Sequence, residues 1–149
     1  MYSELLSLPR WIHMVKMPDE VFQAFNNPKA GKTLATVRGD GTPHIIQVGS
    51  VMAPSPEMIA FGAILMKETG KTLEAPKKAG KMVSVLVTQE MKSYQVHAKV
   101  KDYVTSGPLF DKMNEVLKGL GLKANGVWTL EPEEVWTQSA SYEAGKRIL

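Results

Sequence analysis

The clearest pattern of hydrophobic and polar positions lies between residues 94 and 101, where the two kinds of side chain alternate strictly. A period of two is typical of a β-strand with one buried face and one exposed face. The preceding segment, residues 81–88, is almost continuous in apolar and β-branched residues, which predicts a strand covered on both faces. The alternating strand places Tyr94, Val96, Ala98 and Val100 on one face and Gln95, His97, Lys99 and Lys101 on the other.

Five further segments have the composition of strands. Asp40 and Gly41 predict a tight hairpin between the first two, because an Asp-Gly pair supplies the positive φ angles that such a turn needs. Residues 53–56, with two prolines, predict the next turn, and residues 131–134 predict the turn of a final hairpin. The predicted strands are residues 32–38, 43–52, 58–63, 127–130 and 135–137.

Three segments have helical patterns. Pro18 and two acids open the first, which ends after Phe25 at an Asn-Asn-Pro sequence. Residues 67–78 are polar, with Leu73 as their one large apolar residue, and predict a short exposed helix. The third helix begins at Pro108, a favoured first-turn position for proline. Its apolar residues form one stripe, which consists of Leu109, Phe110, Met113, Val116, Leu117 and Leu120.

The order of these elements predicts the architecture. Several short strands with turn signals, interrupted by isolated helices, indicate a barrel or sandwich with helices at its ends. Regular alternation of strand and helix is absent, which argues against a doubly wound parallel sheet. We therefore predict an α+β, mainly β protein with a closed antiparallel barrel and short peripheral helices. Its 149 residues suit a single domain, 1–149, in which residues 1–30 form a helical extension.

Charge and composition exclude several classes of protein. The net charge of +3 is too small to indicate nucleic acid, and no apolar run approaches the roughly 20 residues of a membrane span. Near the N-terminus, Glu4 stands where a signal peptide carries positive charge, and Pro9 interrupts the apolar residues. We therefore expect a cytoplasmic protein. Lysines are densest at positions 67, 71, 77, 78 and 81, which indicates either a solvated face or a site for an anionic ligand.

Ordinary catalytic machinery is missing from the sequence. There is no cysteine, and the three histidines share no metal-ligand spacing, so we interpret them as surface or rim residues. The segment from Thr69 to Thr72, TGKT, is not a phosphate-binding P-loop, because Leu65 occupies the position of the required glycine. A bound cofactor would therefore carry any chemistry.

Several short motifs occur in an order that resembles the pyridoxamine-phosphate-oxidase-like FMN-binding split barrels. Residues 34–37, followed by Asp40-Gly41 and Pro43-His44, are similar to the first hairpin of that family. The Lys- and Thr-rich segment from Met66 to Leu73, the strand from Tyr94 and the helix from Pro108 follow in the family's order. The resemblance covers roughly residues 33–136.

This resemblance implies a split β-barrel and a homodimer with FMN in the groove between the two subunits. It places Gln47, Val48, Gly49 and Ser50 near the flavin ring and ribityl chain. It also places Lys67 and Thr69 at the phosphate, with Met66 and Lys71 in the same segment. A dianionic phosphate would be held there by charge-assisted hydrogen bonds.

The resemblance leaves alternatives open. Glu68, Thr72 and Ala98 depart from the family pattern, and no Arg and His cluster of the kind that true pyridoxamine phosphate oxidases use lies near the C-terminus. We therefore expect a small flavin reductase or electron carrier with a small-molecule redox substrate or electron donor. The alternatives are a binding or structural module that has lost FMN, or a barrel that binds haem or a deazaflavin.

Overall fold

The structure, a computed structural model, describes residues 15–64 and 67–149, apart from the side chains of residues 67 and 68. In chain order its elements are α1 (Asp19–Phe25), β1 (Gly31–Val37), β2 (Pro43–Gln47), β3 (Met52–Ser55), β4 (Met58–Gly62), α2 (Lys67–Ala79), β5 (Met82–Gln89), β6 (Lys92–Val104), α3 (Pro108–Lys118), β7 (Val127–Thr137) and β8 (Lys146–Arg147). Of the predicted extension 1–30, residues 1–14 lie outside the described residues.

The strands form one antiparallel sheet in the order β2-β1-β5-β6-β7-β4-β3. The long strands β6 and β7 pair along most of their length, and the other edge of β7 pairs with β4 and then with β8. In the described part of the chain no ladder joins the edge strands β2 and β3. The mainly β architecture and the split barrel are therefore confirmed, whereas a closed barrel is wrong.

The barrel is split where residues 48–51 connect β2 to β3. We predicted one strand over residues 43–52 and a turn at 53–56, and both are wrong: the chain bends at 48–51, and 53–55 belong to β3. Ser50 fixes this bend because its hydroxyl accepts a hydrogen bond from the Gly62 amide at 3.0 Å. Pro54 is tolerated because β3 is an edge strand.

The predicted final hairpin is also wrong, because β7 runs through residues 131–134 without turning. Opposite β6, Ala98 pairs with Pro132 and His97 with Glu134, so Glu133 is an extra residue in a bulge. At this point β7 is paired on one edge only, between its ladders with β4 and β8. A proline, which lacks an amide proton, fits such a position without loss of a ladder hydrogen bond.

The core lies on the inner face of the sheet. The alternation in β6 is confirmed: Tyr94, Val96, Ala98 and Val100 are buried. In β5 the prediction of two covered faces does not hold for the single chain, since the outer side chains Ser84 and Leu86 are only half-buried. The core cluster also includes Phe25, Leu34, Ile59, Phe61, Val85, Val87, Leu130 and Val135.

Helix α2 is less exposed than its polar sequence predicts. One face of it is buried and carries Leu73, which is fully inaccessible, together with two threonines. The Thr72 hydroxyl accepts a hydrogen bond from the Thr36 hydroxyl of β1 at 2.8 Å and donates to the carbonyl of Thr69 at 3.0 Å. Buried threonine pairs therefore dock a polar helix on the sheet. None of the helices in the described residues is long and apolar enough to cross a membrane.

Tyr94 joins the sheet to α1, because its hydroxyl donates to the Glu20 carboxylate at 2.8 Å. Burial, and then the hydrogen bond and charge of Glu20, raises the pKa of Tyr94 from its ordinary value of 10.0 to about 12. The folded-state pKa lies above the unfolded-state value. The stabilisation is therefore fully present below about pH 10 and is lost as the pH rises towards about 12.

We therefore expect Tyr94→Phe to lower the free energy of unfolding by about 1 kcal/mol at neutral pH. Between about pH 9 and pH 12 the variant should lose less stability than the wild type. Urea unfolding across this range is the measurement, with Tyr103→Phe as the control. Parallel losses in wild type and Tyr94→Phe would contradict the assignment.

Candidate functional site

A cleft of about 600 Å³ lies at the split in the barrel, between α1, the 48–51 connection and α3. Its volume is in the range of small-molecule and cofactor sites. Its walls are mainly apolar. The lining residues are Phe25, Asn26, Pro28, Lys32, Gln47, Val48, Gly49, Ser50, Val51, Met52, Gly62, Ile64, Met113, Val116, Leu117, Leu120 and Leu122.

The four residues predicted to lie near a flavin ring, Gln47 to Ser50, all line this cleft. The Val48 amide donates to the carbonyl of Lys32 at 2.9 Å, which ties the connection to β1. A Cβ atom at Gly49 would meet no atom within 4 Å, so its backbone faces open space. The space beside Gly49 is therefore open to a bound molecule.

Helix α3 explains the apolar wall. The predicted stripe is divided: Met113 and Leu117 are buried against the sheet, whereas Val116 and Leu120 are 58% and 71% exposed. Both exposed side chains line the cleft, as does Leu122 after the helix. Apolar side chains exposed together at a concave site indicate a ligand surface.

Lys32 is a cleft residue that sequence analysis missed. Among the described residues that line the cleft it alone is charged, and it is only 7% exposed. Burial lowers the pKa of Lys32. The sequence contained a hint that Lys32 is buried. In β1 it lies in phase with Leu34 and Thr36, whose side chains point to the inner face of the sheet.

A second polar cluster lies where α2 meets the β1–β2 hairpin. The Arg38 guanidinium is 3.2 Å from His44 Nδ1, and His44 Nε2 is 3.3 Å from the Thr69 hydroxyl. Arginine can only donate, so His44 accepts at Nδ1 and carries its proton on Nε2, from which it donates to Thr69. The hairpin turn, in which Gly41 has a φ of 89°, brings Arg38 and His44 to the same end of the sheet.

Two of the residues predicted to hold a phosphate, Thr69 and Lys71, are described on α2, and neither lines the cleft. Thr69 is 2% exposed on the buried face of the helix, where it contacts His44, and Lys71 is exposed. Met66 and the side chain of Lys67 lie outside the described residues. Ile64 lines the cleft and α2 begins three residues later. The start of α2 is therefore within about 11 Å of the cleft.

The outer face of the sheet carries a third cluster. His97 Nδ1 lies 3.0 Å from the Glu134 carboxylate, and its Nε2 lies 3.1 Å from the Gln95 amide nitrogen. The hydrogen bond with His97, followed by that from Trp136, lowers the pKa of Glu134. Arg147 is also 3.5 Å from Glu134. We interpreted His97 as a surface or rim residue, and the structure adds that long-range pairing places its partly exposed ring in this network.

Comparison with known proteins identifies the fold. HupZ of Group A Streptococcus superposes with a TM-score of 0.70 at 15% identity, over 87% of this chain and 99% of that one. A candidate pyridoxamine 5'-phosphate oxidase from Lactobacillus delbrueckii superposes with a TM-score of 0.63 at 23% identity, over 81% of this chain and 93% of that one. An FMN-binding protein from Syntrophomonas wolfei superposes with a TM-score of 0.63 at 14% identity, over 74% of this chain and 78% of that one.

Two further structures have similar folds. An F420 reductase superposes with a TM-score of 0.62 at 20% identity, and the match covers 80% of this chain and 98% of that one. The haem storage protein HutZ of Vibrio cholerae superposes with a TM-score of 0.55 at 17% identity, and the match covers 82% of this chain and 94% of that one. No protein-family model and no curated protein matches the sequence. The chain has the split-barrel fold of the pyridoxamine 5'-phosphate oxidase-like proteins.

Proposed function

We propose that this chain binds FMN at the split of the barrel and acts as a small flavin reductase or electron carrier. One observation carries the proposal: residues 47–50, which the motif order assigns to a flavin ring, line a cofactor-sized apolar cleft. The fold shared with an FMN-binding protein supports it.

The ring would lie between the connection and α3. Val116 and Leu120 would cover its apolar part and exclude water, while the amides of Gly49 and Ser50 would meet its polar edge. Bound FMN would supply the electron transfer between a small-molecule donor and its substrate. The protein would hold and orient it.

The phosphate would lie at the start of α2. Lys67, Thr69 and Lys71 belong to that helix, and Met66 precedes it. We add Arg38 and His44 to this set, because hydrogen bonds connect them to Thr69. Arginine suits a phosphate dianion, since its planar fork donates two parallel hydrogen bonds.

The C-terminal region supports a reaction other than pyridoxamine phosphate oxidation. Arg147 pairs with Glu134 at 3.5 Å and Lys146 with Glu143 at 3.1 Å. Both basic residues thus have ion-pair partners within the chain.

A homodimer would complete the site. On the outer face, Val37, Ile45 and Met82 are 59%, 67% and 46% exposed, next to a shallow groove that also contains Ala35 and Leu86. Exposed apolar side chains on a sheet face are typical of a subunit interface. Gln47 belongs both to the cleft and to β2, which borders this face, so a partner would lie beside the bound ring.

Haem is the second candidate ligand. His97 donates from Nδ1 to Glu134, an arrangement typical of metal-ligating histidines, and a haem iron would replace the Gln95 amide that now donates to its Nε2. The fold of HutZ is consistent with it.

A visible spectrum of the purified protein separates these functions. We expect flavin absorption, either as purified or after addition of FMN, and quenching of flavin fluorescence on binding. A Soret band after haem addition that disappears in His97→Ala would favour the second candidate. No interaction at high micromolar FMN would overturn the flavin proposal.

A further inference from the structure

Lys32 is a buried lysine in the lining of the cleft. Among the described residues, none forms a hydrogen bond or ion pair with its ammonium. No buried polar side-chain atom in the described part of the chain lacks a partner, so the ammonium is open to the cleft. The side chain is thus almost fully buried, while its charged end faces the space that a ligand would fill.

An unpaired ammonium among apolar side chains is unfavourable, because the protein replaces only part of its hydration. An anion in the adjoining space would relieve this cost. The other polar side chains of the lining are uncharged: both polar ends of the Asn26 amide bond the Ala53 backbone, while Gln47 and Ser50, whose hydroxyl accepts from Gly62, would supply only neutral donors.

The shape of the cleft limits the ligand to a small molecule with an apolar body. The walls of α1 and α3 are apolar, and about 600 Å³ suits a ring system rather than a protein segment. We propose that Lys32 is the counter-ion of this cleft, which thereby selects flat apolar ring systems that carry a negative charge on their edge.

For flavin this inference rests on the proposed function. The oxidised isoalloxazine ring is neutral, whereas the reduced ring readily loses its N1 proton and becomes an anion. Lys32 would therefore bind the reduced ring more tightly than the oxidised one and would raise the reduction potential. Lys32 would thus adjust the reduction potential of the bound flavin, in addition to any role in holding it.

The first test does not depend on flavin. Anilinonaphthalene sulfonate and the neutral phenylnaphthylamine share an apolar body and differ in the anionic group, and both report binding by fluorescence. We expect the wild type to prefer the anion and Lys32→Met to reduce that preference at least about 10-fold, with little change for the neutral probe. Lys29→Met, an exposed lysine outside the cleft lining, is the matched control.

The second test uses FMN and measures the midpoint potential of the bound flavin. A tenfold loss of reduced-state preference in Lys32→Met would make the two-electron potential about 30 mV more negative. Lys32→Arg keeps the charge and should keep both the anion preference and the potential. Circular dichroism verifies that each variant folds, and Lys32→Gln replaces Lys32→Met if that variant does not.

The outcomes separate the two proposals. Loss of anion preference in Lys32→Met together with a lower potential supports both. Loss of anion preference in a protein that does not bind FMN supports the role of Lys32 and overturns the flavin function. An anion preference that Lys32→Met leaves unchanged overturns the inference, whether or not FMN binds.

Discussion

Replacement of Arg38 by methionine should weaken FMN binding by about 10- to 150-fold, the range for loss of hydrogen bonds to a charged group. Arg38 is exposed at the end of β1, 3.2 Å from His44, and His44 reaches Thr69 on α2. If the phosphate lies at the start of α2, Arg38 would contribute both charge and two donors. Riboflavin has the same ring without the phosphate, so its affinity should change little.

The FMN-to-riboflavin affinity ratio is the informative measurement. Lys92→Met removes the same charge at an exposed position in the β5–β6 hairpin and serves as the control. The same ratio applied to Lys67→Ala tests the residue that sequence analysis placed at the phosphate. If Arg38→Met weakened both ligands equally, Arg38 would not belong to a phosphate site.

Ile45→Asp should convert the proposed homodimer into a monomer. Ile45 is 67% exposed on the outer face, and the symmetry of a dimer would introduce the new charge twice into one interface. An unpaired charge buried in an apolar interface costs several kcal/mol, so the dissociation constant should rise at least about 100-fold.

Light scattering at micromolar concentration measures this change. The control is Met91→Asp, at an even more exposed position, 72%, in the β5–β6 turn. A wild-type mass near 16.4 kDa would contradict the dimer itself. If the Ile45→Asp variant remained dimeric, the interface would have to lie on another face of the protein. If FMN lies between subunits, the monomeric variant should also bind it more weakly.

Local patterns in the sequence were sufficient for most individual elements. The strict alternation from Tyr94 to Lys101 predicted which face of β6 is buried, because side chains along a strand point alternately to its two sides. Proline at residue 108 marked the start of α3 for an equally local reason, since the first helical turn needs no amide proton there. The motif order then brought residues 47–50 into the candidate site.

The sequence-based predictions that were wrong concern segments whose conformation depends on long-range pairing. Residues 131–134 have the composition of a turn, yet β6 and a bulge at Glu133 hold them in a continuous strand. At the 48–51 connection Ser50 binds Gly62 of β4, a contact 12 residues apart that no local pattern encodes. The cleft lies beside that connection.

The sequence by itself determined the mainly β architecture and the inward face of β6, because periodicity and turn chemistry act between near neighbours. The segment that lines the cleft came from the family resemblance instead. The tertiary structure alone decided that Lys32 lines an apolar cleft with no partner among the described residues, and that Arg38, His44 and Thr69 form one cluster. The physical reason is that a side chain's burial and hydrogen-bond partners depend on strand order and register. Those are set by packing across the whole sheet rather than by the residues beside it in sequence.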